Sequence, residues 1–391
     1  MLKKNIITLI VIFVLAVTAG SLFLKFAPDF GIRENAAEYN EIGRNLAQGN
    51  GYVKDNLTTG TRAPGYPYFL GIIYFILGHN PTAVKIIQFV LLAIIGVFVY
   101  MISKRLSMAY IFALLAAVLV VVWPYFILYS NLILAEILFA LLLIISVYIL
   151  LLFQKTPNYL KATIIGVMLG SATLVRPSAI LLPIWITLGL VLIFHRFRQQ
   201  KNFLKLLVLI AAFIITLTPW TVRNYLEFGK LMPVRPGLSA TAENAFVDID
   251  YLEPSQEGMS SNEGVTKIQN VYRFWNPGAS GSQARELTDK YPNSKILILI
   301  YQIGFFLILA STFISLKFYQ NKKIVMLWLI IFYFCIIHAV LYPYPRYTLP
   351  IIPIVMVLCF FTISVFYPKL LKRIKHSGQK SNSIPNPKQQ R

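Results

Sequence analysis

The chain has 391 residues, of which 57% are hydrophobic and only 13% charged, and its mean hydropathy is +0.66. An ordinary soluble domain is about 45–50% apolar, so a water-soluble fold cannot hide this surplus and lipid is the expected solvent. The formal net charge of +21 suggests nucleic acid in a soluble protein, but here no soluble domain remains to carry that surface, and no nucleic-acid partner is expected.

In chain order, Lys3 and Lys4 precede an apolar run that continues to Leu24, longer than the hydrophobic region of a signal peptide. It reads as an anchoring span over 5–27. Nine further spans, each near the 20 residues a bilayer requires, are expected near 82–103, 107–127, 131–153, 158–175, 177–195, 203–220, 294–316, 323–341 and 347–367. The fold class is therefore all-α, a polytopic membrane protein of about ten transmembrane helices. Basic clusters fall at alternate connections: Lys104 and Arg105, Lys155 and Lys161, Arg196 to Lys205, Lys317 to Lys323, and the tail from Lys369. That is the positive-inside pattern, with both termini cytoplasmic. Cys335 and Cys359 lie inside apolar segments, where a thiol behaves as a small hydrophobe and no disulfide framework is implied.

Two segments break the rhythm and divide the chain. Residues 1–220 form an N-terminal membrane module with a first extracytoplasmic loop at 28–80. In that loop the stretch from Gly65 to Gly78, rich in Tyr and Phe, is too short to span and is expected to lie along the interface. Residues 221–292 form a second extracytoplasmic loop, mixed in Gly, Ser, Asn, Asp and Glu; loops of that length usually serve a function. Helices over 293–367 follow, then a basic tail at 368–391 expected to be disordered. No fixed-period repeat is visible, which counts against a solenoid or an inverted-repeat transporter.

The chemistry concentrates at the outer boundary. Glu34, Glu38 and Glu41 are spaced four and three apart, one face of a helix. The face is either a carboxylate site that deprotonates an acceptor or binds a cation, or the solvated side of an amphipathic surface helix. After the turn signal Gly49-Asn50-Gly51-Tyr52 comes Thr61-Arg62-Ala63-Pro64-Gly65-Tyr66-Pro67. There a rigidly framed guanidinium is suited to a lipid phosphate, or to interfacial anchoring. Glu136 lies one or two turns inside a span, where an ionisable side chain is costly and must face a polar cavity or a partner. Arg176, Arg223 and Arg346 also fall at outer helix ends, as an anionic ligand would require, or as snorkelling side chains. His338, inside a span, reads as a satisfied core histidine. No Gly-rich phosphate loop, zinc-ligand spacing or nucleophile elbow is present, which counts against a nucleotide-driven pump; no metal-ligating residue and no cofactor is assigned.

Several pieces, in order, resemble a known group. They are Glu38-Tyr39-Asn40-Glu41-Ile42-Gly43-Arg44-Asn45-Leu46, Arg62-Ala63-Pro64-Gly65-Tyr66-Pro67, Glu136, Gly170-Ser171-Ala172-Thr173-Leu174-Val175-Arg176-Pro177, Pro219-Trp220-Thr221-Val222-Arg223-Asn224-Tyr225 and Arg346-Tyr347-Thr348-Leu349-Pro350. The series resembles the GT-C fold polyprenyl-phosphate-sugar glycosyltransferases of family 39 type, the superfamily of protein mannosyltransferases and lipid A aminoarabinose transferases. The resemblance implies inverting transfer of one sugar from a polyprenyl-phosphate donor to a lipid, glycan or protein acceptor. It further implies a multi-pass protein of a bacterial inner membrane with its active loops outside, touching membrane lipid. The family's usual base is an Asp four residues before the loop tyrosine, and here that position is Asn35. An amide accepts no proton at neutral pH, so either Glu34 or Glu38 substitutes or the chain is a catalytically impaired relative. Arg62, Arg176 and Arg346 are the expected donor-phosphate ligands, and Glu136 the residue that orients the acceptor or supports the base. A transporter is the remaining alternative; it calls for broken helices and polar groups near the midplane, whereas the ionisable residues crowd one boundary.

Overall fold

The computed structural model describes residues 2–26, 31–32, 35–235, 275, 294–340 and 345–381. The elements are α1 (Leu2–Phe26), α2 (Asn35–Ala47), the two-residue strands β1 (Val53–Lys54) and β2 (Leu57–Thr58), α3 (Gly65–Leu77), α4 (Pro81–Arg105), α5 (Tyr110–Val121), α6 (Pro124–Ser130), α7 (Glu136–Lys155), α8 (Tyr159–Val175), α9 (Leu182–Ile193), α10 (Gln200–Phe228), α11 (Ser294–Ile314), α12 (Lys322–Val340) and α13 (Ile352–Ser381). Short 3₁₀ turns cover Pro177–Ala179, His195–Arg198, Ser315–Phe318 and Pro345–Ile351. Among the described residues six helices are long and apolar enough to cross a membrane, a seventh if α5 and α6 count as one bent span. The chain is a multi-pass membrane protein. The apolar faces of α1 and α10 that remain exposed, such as Ile7, Ile10, Ile214 and Ile215, are what lipid must cover.

Local chemistry sets the boundaries. Asn80 caps α4 by accepting a 3.1 Å hydrogen bond from the Ala83 amide, with Pro81 behind it, and Asn158 caps α8 through the Lys161 amide at 2.8 Å. Such oxygens satisfy helix amides that have no carbonyl partner. The expected unbroken span over 107–127 is not continuous: Pro124 holds Trp123 in extended backbone, as proline disfavours the helical region for the preceding residue, and α5 and α6 meet at a 45° bend. Residues 131–135 are also non-helical, so α7 opens at Glu136 rather than at 131. Conversely, α10 passes through Pro219 to Phe228, beyond the expected 220, and α13 reaches Ser381, into the segment expected as a tail. Asp248 and Asp250 of the second loop lie outside the described residues.

The core is mostly apolar, with a few buried polar side chains such as Gln88 and Glu136. Helix α4 packs against α1, α5 and α7, α8 packs between α7 and α10, and α13 against α5 and α11. The α8–α10 approach depends on Gly166, where a Cβ would lie 2.3 Å from the Leu209 carbonyl oxygen. The bundle has two unlike ends. One gathers α2, the β1–β2 hairpin, α3, α6, the start of α7 and the 3₁₀ turn at 345–351; the other gathers Lys104, Arg105, Lys155, Arg196 and Lys323.

Candidate functional site

At the first end, α2 and α3 lie side by side because small residues let them: a Cβ on Gly43 would sit 2.6 Å from Leu70 Cβ. The loop between them is tied back on itself. Tyr52 donates to the Arg62 carbonyl at 3.0 Å, Glu41 Oε1 accepts the Asp55 amide at 2.8 Å, and Arg223 reaches across from α10 to the Thr59 carbonyl at 2.9 Å. Arg223 is also boxed by Tyr52, Trp220 and Phe228, with Trp220 4.7 Å away. It braces the loop. Glu41 does the same, so the acidic face of α2 is not a uniform solvated stripe.

Glu38 takes part in the first of two charged clusters. Arg62 Nε lies 2.6 Å from Glu38 Oε2, Thr61 donates to Glu38 Oε1 at 2.6 Å, and Lys54 Nζ is 3.6 Å away. Burial raises the Glu38 carboxyl, but the Arg62 guanidinium, the Thr61 hydroxyl and Lys54 together outweigh it and hold the group below its ordinary value. Arg62 Nη2 donates to Asn35 Oδ1 at the first turn of α2. Glu34 lies outside the described residues.

The second cluster surrounds Glu136, whose side chain is 1% exposed. Arg176 Nη2 is 2.6 Å and Arg346 Nε 4.0 Å from Glu136 Oε1, while Glu136 Oε2 has no hydrogen-bond partner among the described residues. Each cation is delivered by a proline-framed break. Arg176 is extended between the end of α8 and Pro177, and Arg346 follows Pro345 in a 3₁₀ turn. Both guanidiniums face the ring of Tyr347, at 4.8 and 5.5 Å, and His338 stacks on the same ring at 4.9 Å. His338 is thus a buried, ring-packed histidine.

Tyr39 joins the clusters. Its ring lies 5.3 Å from the Arg62 guanidinium and 5.1 Å from Tyr66. The phenol, pushed up by burial, sits in the fields of Arg62, Arg176, Glu136 and Arg346 together. Gly65 makes this convergence sterically possible: a Cβ there would meet Val175 Cγ2 at 2.7 Å and the Val175 amide nitrogen at 2.9 Å, so the Arg62 loop rests directly on the residue before Arg176. Of the anticipated residues the structure brings together Asn35, Glu38 and Arg62 in one group and Glu136, Arg176 and Arg346 in the other.

Gln88 escaped the sequence reading. Fully buried in α4, it accepts from the Tyr66 hydroxyl at 3.0 Å and donates to the Ser130 and Leu132 carbonyls at 3.0 and 2.8 Å. It supplies partners for the non-helical backbone that leads to Glu136. A carboxamide within an apolar span was the available signal. Among the described residues no group of three or more His, Cys, Asp or Glu side chains converges as metal ligands.

Residues 61–221 match the family model for dolichyl-phosphate-mannose-protein mannosyltransferase, a segment that contains Arg62, Gly65, Gln88, Glu136 and Arg176. No curated protein matches the sequence. Among solved structures the chain resembles the Archaeoglobus fulgidus oligosaccharyltransferase complexed with zinc and sulfate (TM-score 0.61, 14% identity, 96% of this chain and 51% of that one). It also resembles ArnT from Cupriavidus metallidurans bound to undecaprenyl phosphate (TM-score 0.60, 13% identity, 93% and 60%). A third is archaeal oligosaccharyltransferase AglB from Archaeoglobus fulgidus in complex with an inhibitory peptide and a dolichol-phosphate (TM-score 0.58, 13% identity, 98% and 52%). The chain therefore spans about half to three-fifths of the length of these proteins, and the likeness is one of fold, the GT-C fold expected from sequence.

Proposed function

We propose that this chain is a membrane glycosyltransferase that moves one hexosyl or pentosyl unit from a polyprenyl-phosphate donor to a lipid, glycan or protein acceptor. The reading rests on one observation: Arg62 beside Glu38 and the Tyr39 ring, and Arg176 and Arg346 beside Glu136, come from three separate breaks in the helical chain that meet where Gly65 lies against Val175, at one end of a GT-C bundle. The proposed setting is a bacterial inner membrane with this end extracytoplasmic; the charge pattern supports the orientation and the family resemblance the membrane.

In the proposed reaction the acceptor oxygen bonds to the anomeric carbon from the face opposite the phosphate. The carbon–oxygen bond to phosphate breaks, and polyprenyl phosphate leaves with the electron pair. The acceptor proton goes to a carboxylate, Glu34 or Glu38. Charge grows on the leaving phosphate, where preformed cations contribute most. Arg62 is held by Glu38 before donor arrives, so a phosphate that takes over the guanidinium also releases Glu38, raising its basicity where the acceptor must be deprotonated. Arg176 and Arg346 carry the corresponding role across Tyr39, and Glu136 orients them and the acceptor.

A second reading has a specific observation behind it. Asn35 offers Arg62 an amide oxygen instead of a carboxylate, as in a relative that binds lipid-linked sugar without turning it over. The deciding experiment reconstitutes the full chain in liposomes and follows transfer from polyprenyl-phosphate sugars to mixed membrane acceptors, beside Arg62→Ala and the double variant Glu34→Gln/Glu38→Gln. Transfer lost in both establishes the roles assigned. Full activity in the double variant overturns the base assignment, binding without turnover in the wild type supports the impaired relative, and neither binding nor turnover returns the question to transport.

A further inference from the structure

The opposite end of the bundle has a charge distribution that membrane insertion alone does not require. None of the chain's 15 Asp and Glu residues falls within 56–135, 137–226 or 290–391, which between them contain every connection at that end from Lys104 onward. The positive-inside rule asks for an excess of Lys and Arg and is nearly indifferent to acidic residues. Complete removal of carboxylates is a separate feature.

The cations there converge as well. Lys323 Nζ donates to the Arg105 carbonyl at 2.7 Å and lies in the repulsive fields of Arg105 and Lys155. Arg196 Nη1 donates to the Lys155 carbonyl at 3.2 Å, while Arg196 Nε is buried with no hydrogen-bond partner among the described residues. Lys322 Nζ stands 5.2 Å from the Phe194 ring. Four connections thus deliver cations to one region, and among the described residues every ion pair lies at the other end. Their contacts are backbone carbonyls and aromatic faces, which leave the positive charge uncompensated.

We infer that Arg105, Lys155, Arg196, Lys322 and Lys323 form a docking surface for the headgroup of an anionic phospholipid. The position fits: α4 has 25 residues, about 37 Å at 1.5 Å per residue, so its Arg105 end reaches beyond a hydrocarbon core of about 30 Å into the headgroup layer. Guanidinium and ammonium groups there meet phosphate directly, and each contributes roughly a fivefold preference for an anionic over a neutral surface. This surface is independent of the sugar-transfer reading.

The test places the full-length protein in phosphatidylcholine bilayers and measures, by fluorescence quenching, the exchange of labelled phosphatidylglycerol against labelled phosphatidylcholine at the protein surface. The wild type should select phosphatidylglycerol, and selectivity should fall as salt rises. Arg105→Gln/Lys322→Gln/Lys323→Gln should lose at least tenfold, whereas the equal-charge tail control Lys380→Gln/Lys388→Gln/Arg391→Gln should retain selectivity. No preference in the wild type overturns the inference even if the triple variant does not fold. Selectivity kept by a folded triple variant, or lost instead in the tail control, overturns it too.

Discussion

Arg62 Nε lies 2.6 Å from Glu38 Oε2, so the guanidinium proposed to receive the donor phosphate already holds a carboxylate of its own chain. Because the folded Glu38 carboxyl is depressed below its ordinary value, this pairing stabilises the loop above that ordinary value and is lost as pH falls through the lower folded one. Thermal stability should therefore be insensitive to this pair between about pH 6 and 9 and decline below about pH 4.5. Glu38→Gln should flatten that acid limb. An unchanged acid limb in Glu38→Gln counts against the pairing as drawn.

The Glu136 cluster should respond differently. Its carboxylate is buried with two cations near it, and removing one partner of a buried pair leaves uncompensated charge, at a cost of about 3–5 kcal/mol. The Glu38 site is more open and its exchange correspondingly cheaper. Glu136→Gln should lower the midpoint of thermal unfolding in detergent further than Glu38→Gln does, and Arg176→Met/Glu136→Leu should recover part of the loss. If Glu136→Gln is as stable as the wild type, the two guanidiniums are satisfied elsewhere.

What the sequence made legible follows from what a bilayer imposes. Span length and loop charge are dictated by lipid thickness and insertion, so α1, α4, α7 and α12 stand near where they were expected. The bend at Trp123–Pro124 needed the proline to be weighed against an apolar run that otherwise reads as continuous. Arg62, Glu38, Glu136, Arg176 and Arg346 were legible as costly residues at one boundary. The approach of the Arg62 group to the Arg176 group was not, because it depends on Gly65 lying against Val175, a contact across more than a hundred residues. Arg223 stands at that boundary as expected, but its bracing contacts with Trp220 and the Thr59 carbonyl were not legible, because the second joins segments far apart in the sequence.

That contact gives a third prediction. In Gly65→Ala the added methyl meets the Val175 amide nitrogen at 2.9 Å, a distance that side-chain rotation cannot relieve, so α3 and the Arg62 loop must move away from Arg176. Affinity for undecaprenyl phosphate, measured by titration in detergent, should fall by about tenfold or more, since displacements near 1 Å are costly to ligand positioning. Val175→Ala, which removes only the Cγ2 contact, should not restore it. Wild-type affinity in Gly65→Ala means that the two arginine clusters do not act on one ligand.

Gln88 offers the sharpest separation of positioning from chemistry, because it touches neither cluster directly. Its carboxamide ties Tyr66 of α3 to the Ser130 and Leu132 carbonyls, and so links the ring that packs on Tyr39 to the backbone just before Glu136. Gln88→Leu strips partners from three buried groups, each worth about 1–3 kcal/mol when left unsatisfied, whereas Tyr66→Phe removes a single donor. Tyr66→Phe should therefore be the milder change. The double variant should be less destabilised than the sum of the two, with a coupling of about 0.5–3 kcal/mol, because the Tyr66–Gln88 bond is counted in both. If Gln88 positions Glu136, its Leu variant should lower turnover by on the order of 10–100-fold, while undecaprenyl phosphate binding, proposed to go through Arg62, should change far less. Equal losses in binding and turnover would assign Gln88 to the stability of α3 alone.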